Sequence, residues 1–249
     1  MEALRMFSAA SANDHTHNHL WLKGASLFIP QMNDLLEHTD YSFEIIDINT
    51  FQNENTQRLG DILKNNNSDK STSHNYHIFY SYIFNKLDKN KSINILEIGL
   101  GTNNPDLVSS MGTNGRPGAS LYSFREYLPN ADIYGCDIDK DILFNCYKIK
   151  TCYVDQLEKS SFDNISNSFG DLKYDLIIDD GLHSIGANFN TLLFALKNVK
   201  KNGWIVIEDI YLINNWKAID YILKSTKKYI TYILSTNLDC MYLYAIHKL

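Results

Sequence analysis

The chain has 249 residues, 44% hydrophobic and 21% charged, with a formal net charge of -6. That length and balance fit one large globular domain or a domain with an appendage, and the acidic total argues against a nucleic-acid partner, which needs a basic face. No apolar run approaches the roughly 18 residues of a membrane span, the N-terminus shows no basic-then-apolar leader, and the 4 cysteines form no CxxC pair; reduced cysteines in a cytoplasmic protein are expected.

Residues 1–90 read differently from the rest. His15, His17 and His19 alternate near the start, which in a strand would place three imidazoles on one face. No strand-like sequence surrounds them, so they read as an incidental feature of the chain end rather than a dedicated metal site. Helices are predicted over 51–64, with Leu59, Ile62 and Leu63 on one face, and over 76–87, with Ile78, Phe79, Tyr82, Ile83 and Leu87 at helical spacing. Residues 65–71 between them form a polar loop. The segment as a whole reads as a helical cap on the acceptor side of a larger domain, 91–249.

From residue 92 strand-like and helix-like runs alternate. Strands are predicted at 93–98, 132–136, 150–154, 174–178, 204–207, 229–234 and 241–246. Helices are predicted at 119–128, 139–147, 185–199 and 215–223, with a weaker helical pattern at 155–168. Such alternation implies βαβ units and a mostly parallel, doubly wound sheet. The link 235–240 is too short for a crossover helix, so the last two strands form an antiparallel hairpin. The expected class is α/β: a Rossmann-like, seven-stranded, mostly parallel sheet with an antiparallel C-terminal hairpin and a helical N-terminal cap.

The chemistry-bearing residues gather where strands end. The first strand runs into Glu97-Ile98-Gly99-Leu100-Gly101-Thr102, where glycines let the backbone turn tightly and approach a ligand, or simply pack. A dinucleotide site calls for a third glycine, where Asn104 stands, and an acid about 20 residues on; neither is present, which disfavours a nicotinamide-dependent oxidoreductase. The second strand ends in Cys136-Asp137-Ile138-Asp139 and the third runs to Asp155-Gln156. Two further apolar runs end in acid, one in Asp179-Asp180-Gly181-Leu182-His183 and one in Glu208-Asp209. Carboxylates at strand ends lie where parallel sheets keep their sites. On neighbouring strands Asp180, Glu208 and Asp209 converge beside His183, a set of hard oxygen donors and an imidazole suited to a divalent cation and a general base. Each acid taken singly has a plainer reading, as a helix cap, a turn residue or a solvated strand end. Residues 102–118 form a long glycine-containing loop of the kind that is usually functional; its Arg116 is a candidate for an anionic group or is simply solvated.

Glu97-x-Gly99-x-Gly101, the acid at the end of the second strand and Asp155 after the third resemble a class I S-adenosylmethionine-dependent methyltransferase over residues 91–249. The resemblance implies that Gly99, Gly101 and Thr102 pack against the cofactor's methionine part and that Glu97 supports the turn or the cofactor's ammonium. It implies further that Asp137, with Asp139 beside it, takes the ribose hydroxyls, and that Asp155 and Gln156 sit by the adenine. Asp179 either faces the cofactor or acts as an outer ligand. Within that class, Asp180-Gly181-x-His183 and Glu208-Asp209 resemble the macrocin and mycinamicin group of sugar O-methyltransferases; Leu182 departs from the small polar residue common there. That resemblance implies magnesium held by Asp180, Glu208 and Asp209, and His183 as base. The expectation is therefore a magnesium-dependent transfer of a methyl group to a sugar hydroxyl. The acceptor would belong to a bacterial surface polysaccharide, a nucleotide-activated sugar or a glycosylated natural product, and the enzyme would be a homo-oligomer. The alternatives are a catechol-type O-methyltransferase with a narrow apolar pocket and a non-catalytic S-adenosylmethionine-binding protein.

Overall fold

A computed structural model describes residues 28, 30–88 and 91–249; His15, His17 and His19 lie outside them. Its frame is one nine-stranded sheet in the order β1-β8-β9-β7-β6-β2-β3-β5-β4. The strands are β1 (Ile46–Asp47), β2 (Asn94–Ile98), β3 (Asp132–Asp137), β4 (Asn145–Cys146), β5 (Ile149–Tyr153), β6 (Tyr174–Asp179), β7 (Val199–Ile210), β8 (Tyr229–Ser235) and β9 (Tyr242–Lys248). β2, β3, β5, β6 and β7 run parallel, while β9 lies antiparallel between β7 and β8. The α/β class and the antiparallel C-terminal hairpin are as the sequence predicts. The count is not: two-residue strands β1 and β4 extend a seven-strand core at its two edges. Neither has enough residues to show an alternation.

The strands of the parallel core are buried on both faces, which is why they read as continuous apolar runs. Ile95, Leu176, Ile178, Trp204 and Val206 point into one core, and Leu96, Ile98, Ile177, Ile205 and Ile207 into the other. The first core is covered by α1 (Thr56–Asn65), α2 (His77–Lys86) and α3 (Ala119–Tyr127). The second is covered by α4 (Asp163–Phe169), α5 (Ile185–Asn198) and α6 (Lys217–Ser225). Leu59, Leu63, Phe79, Tyr80 and Phe84 share the first core with Trp204 and Val206, so α1 and α2 form a layer of the domain itself.

One predicted helix is corrected. Residues 139–147 hold a 3-10 turn, Lys140–Ile142, followed by β4, which pairs back on β5. Local polar bonds compete with helix here: the Asp139 carboxylate accepts from Asp141 N, Thr151 Oγ1 bridges the backbone of Phe144, and Lys148 turns the hairpin with φ 59°.

The ladder between β7 and β9 slips between Ile207 and Ile210, where three steps along β7 match two along β9. Such a bulge re-aims side chains that a regular strand would send to opposite faces. Here it brings Glu208 and Asp209 to the same side, against the hydroxyls of Tyr80 on α2 and of Tyr76 at its N-cap.

Candidate active site

The carboxyl ends of β2, β3, β5, β6 and β7 open on a cavity of about 1010 Å³ lined by Gly99, Gly101, Asp137, Asp180, His183 and Asp209 among others. That is the upper end of the range for small-molecule sites, roomy enough for a nucleoside-sized ligand and part of a second molecule.

The glycine turn forms one wall. Gly99 has φ 95°, and a Cβ there would stand 2.0 Å from the Asp180 carbonyl oxygen. Only glycine lets β2 and the β6 end approach this closely. Gly99 N donates to Cys136 O and Asp180 N donates to Ile98 O, both at 2.8 Å, tying three strand ends together. Asp137 lines the cavity while its Oδ2 accepts from Leu100 N at 2.7 Å and its Oδ1 from Asp139 N at 2.8 Å. Burial raises its pKa, and those backbone donors pull it back. Asp139 is turned away from the cavity and accepts from the Thr102 hydroxyl. Asp155 lines the cavity and fixes its own turn through Leu157 N at 2.9 Å.

Gln156 lines the cavity beside Asp155 and also ties down Asp179, which does not line it. Gln156 Nε2 donates to Asp179 Oδ1 at 2.7 Å and Thr191 Oγ1 at 2.8 Å, and its Oε1 accepts from Leu182 N at 2.7 Å. Asp179 is fully buried, and its second oxygen accepts from Asn188 at 3.1 Å. Together they brace the 180–183 turn from below. The cap of α5 is Ser184, whose Oγ accepts from Ala187 N at 3.4 Å, so Asp179 and Asp180 are not the capping residues.

The acid cluster adjoins this turn and forms a second wall. Ligand atoms of Asp180, His183 and Asp209 all lie within 4.8 Å of one another, and His183 Nε2 is 3.6 Å from Asp209 Oδ2. His183 and Asp209 adopt left-handed backbone, at φ 56° and 54°, uncommon outside glycine but better tolerated by Asp and His than by most. Glu208, by contrast, is buried beneath the cavity floor, where the Tyr80 hydroxyl donates to its Oε1 and Lys70 Nζ reaches its Oε2 at 2.6 Å.

Lys70 is a residue that no sequence pattern singles out. It sits in the polar stretch between α1 and α2, in a 3-10 turn capped by Ser68, yet is only 2% exposed. Its ammonium lies 2.5 Å from Asp180 Oδ2, 2.6 Å from Glu208 Oε2 and 3.3 Å from Glu97 Oε1. Burial lowers its pKa, but the carboxylates of Asp180, Glu208 and Glu97 outweigh that and hold it well above the usual lysine value. Burial likewise pushes Glu97 up to about 7, with Lys70 and the Ser120 hydroxyl opposing. Glu97 thus braces Lys70 and α3 and does not line the cavity. Two further residues missed in the sequence are Tyr76 and Tyr80. Hydroxyl-bearing rings four residues apart on an apolar helix face were a usable signal for a polar partner beneath. Arg116 lines the cavity, stacks 4.5 Å above Tyr122 and donates to Asn66 Oδ1 at 3.2 Å.

No family model matches the chain. It is 32% identical over 125 residues to mycinamicin VI 2''-O-methyltransferase of Micromonospora griseorubida, a match spanning 49% of this chain and 28% of that protein. It is 29% identical over 164 residues to a tetracenomycin rhamnosyl 3'-O-methyltransferase of Streptomyces olivaceus, spanning 61% and 37%. A third relative, demethylmacrocin O-methyltransferase of Streptomyces fradiae, is 29% identical over 125 residues, spanning 49% and 29%. The chain thus spans well under half the length of the curated relatives it matches. Among solved structures it superposes on MycE methyltransferase from the mycinamycin pathway, in complex with Mg, SAH and mycinamycin VI, with TM-score 0.59 and 20% identity over 76% of this chain and 54% of that one. The chain therefore has the fold of the S-adenosylmethionine-dependent methyltransferases and resembles, over about half its length, the mycinamicin VI and demethylmacrocin O-methyltransferases.

Proposed function

We propose that the protein is an O-methyltransferase that moves the methyl group of S-adenosylmethionine to a sugar hydroxyl with the help of a magnesium ion. The observation that carries this reading is the single cavity that joins the glycine turn and Asp137 to Asp180, His183 and Asp209. The relatives' substrates favour a glycosylated natural product as acceptor; a bacterial surface polysaccharide or nucleotide sugar is the other acceptor class.

In this reading Gly99, Gly101 and Thr102 cradle the cofactor's amino-acid part, Asp137 accepts from the ribose hydroxyls and Asp155 flanks the adenine. The donor set suits a hard cation: Asp180 and Asp209 offer carboxylate oxygens at the cavity surface, and Glu208 lies behind them. When bound, such an ion lowers the pKa of an alcohol and orients its oxygen. His183 is the base. Its Nε2 faces Asp209, and its Nδ1 has no hydrogen-bond partner among the described residues. It takes the hydroxyl proton as the acceptor oxygen bonds to the methyl carbon, while the carbon–sulfur bond breaks in line and S-adenosylhomocysteine leaves. Positioning both reactants in one cavity supplies much of the rate. The segment before residue 91 forms the acceptor side, since its Ser68, Asp69, Thr72 and Ser73 line the cavity.

Calorimetry with S-adenosylhomocysteine tests the cofactor half. Binding to the wild type and a loss of about tenfold or more in Asp137→Ala, as expected for a hydrogen-bonded carboxylate, support it; no binding to the wild type overturns it.

A further inference from the structure

The acid cluster already contains a cation. Glu97, Asp180, Glu208 and Asp209 bring four carboxylates together, and the Lys70 ammonium sits against three of them. A buried ion pair that served only packing would lie away from the cavity, but Lys70 and Asp180 both line it. We propose that Lys70 is the resident cation of this cluster: its ammonium occupies oxygens of Asp180 and Glu208 that a divalent ion also needs, so Lys70 sets the affinity of the site for that ion. The inference rests on the reading above that the cluster holds a divalent cation.

Three observations carry it. Both oxygens of Glu208 are engaged, one by the Tyr80 hydroxyl and one by Lys70, so Glu208 can serve a metal only where Lys70 yields. Asp180 Oδ2 is engaged by the same ammonium. A retreat is built in as well: Glu97 Oε1, 3.3 Å from the ammonium, has no hydrogen-bond partner among the described residues, while Glu97 Oε2 is fixed by Ser120 Oγ at 2.6 Å. An ammonium that moves toward Glu97 frees one oxygen each on Asp180 and Glu208 without leaving a buried charge unpaired, which would be strongly unfavourable. Lys70 is thus a positioning residue: it holds the two carboxylates in place, at the expense of opposing a second positive charge a few ångströms away.

The test is calorimetric titration of magnesium into the wild type and into Lys70→Met, which keeps an unbranched side chain of similar length. S-adenosylhomocysteine binding serves as the check that the variant is folded. Removal of the competing charge and release of two ligand oxygens predict tighter magnesium binding in the variant, by at least about tenfold. Equal or weaker binding in the variant overturns the inference while leaving the metal reading intact. No binding to either protein overturns both. Binding to the variant alone supports the inference and shows that the ammonium stands in for the metal in the wild type. Should Lys70→Met fail to fold, the wild type is labelled with 15N-lysine and its buried ammonium resonance followed during a magnesium titration. A saturable shift is the expected result, and a resonance indifferent to magnesium overturns the inference.

Discussion

At the scale of single residues, the site depends on positions that look ordinary in the sequence. Asp180 and His183 were legible because they end an apolar run in a recognisable pattern. Lys70 was not, because a lysine among Asn, Ser and Asp reads as solvent-exposed, and only the tertiary fold shows that its ammonium is enclosed. Asp179 was legible as a polar residue at a strand end but not in its direction. A carboxylate one residue away from a cavity can face the opposite core, and Asp179 is buried against Asn188 and Gln156. His183 carries the residue-scale prediction. His183→Ala is expected to lower kcat by about 10²–10⁴, the usual contribution of a positioned base, while S-adenosylhomocysteine affinity stays near that of the wild type. Steady-state kinetics and calorimetry on the same preparation check both parts, and unchanged kcat would remove the base role.

At the scale of elements, hydrophobic periodicity found the seven core strands and most helices, because burial on both faces writes itself into long apolar runs. It misread 139–147, where side-chain-to-backbone bonds from Asp139 and Thr151 set the local structure, and it could not see a two-residue edge strand. Nor could it see the β7 bulge, which depends on the register with β9. That bulge explains how consecutive residues Glu208 and Asp209 meet the hydroxyls of Tyr80 on α2 and of Tyr76 at its N-cap. Tyr80→Phe should therefore destabilise the fold by about 1.5–3 kcal/mol, the range for hydrogen bonds to charged groups, since it strips Glu208 Oε1 of its donor in a buried setting. Denaturant unfolding of the two proteins checks this, and a difference under about 0.5 kcal/mol, typical of a surface substitution, would show that Glu208 does not depend on Tyr80.

At the scale of the whole molecule, one sheet carries two walls of a single cavity. The β2 turn and the β3 and β5 ends supply a surface suited to a nucleoside, and the β6 and β7 ends supply acid and imidazole. The segment before residue 91, read from the sequence as a cap, contributes more than cover: α1 and α2 close one core, and the turn between them delivers Lys70 to the acids. Among the described residues no helix is long and apolar enough to cross a membrane. The likeness to the mycinamicin VI and demethylmacrocin O-methyltransferases spans about half of this chain. The most direct test is mass spectrometry of a panel of glycosides, nucleotide sugars and catechols incubated with the protein and S-adenosylmethionine, with magnesium or with a chelator. Gain of one methyl group on a sugar hydroxyl, dependent on magnesium, is the expected result. Methylation of a catechol with every sugar left unchanged, or sugar methylation undiminished by exhaustive chelation, would contradict it.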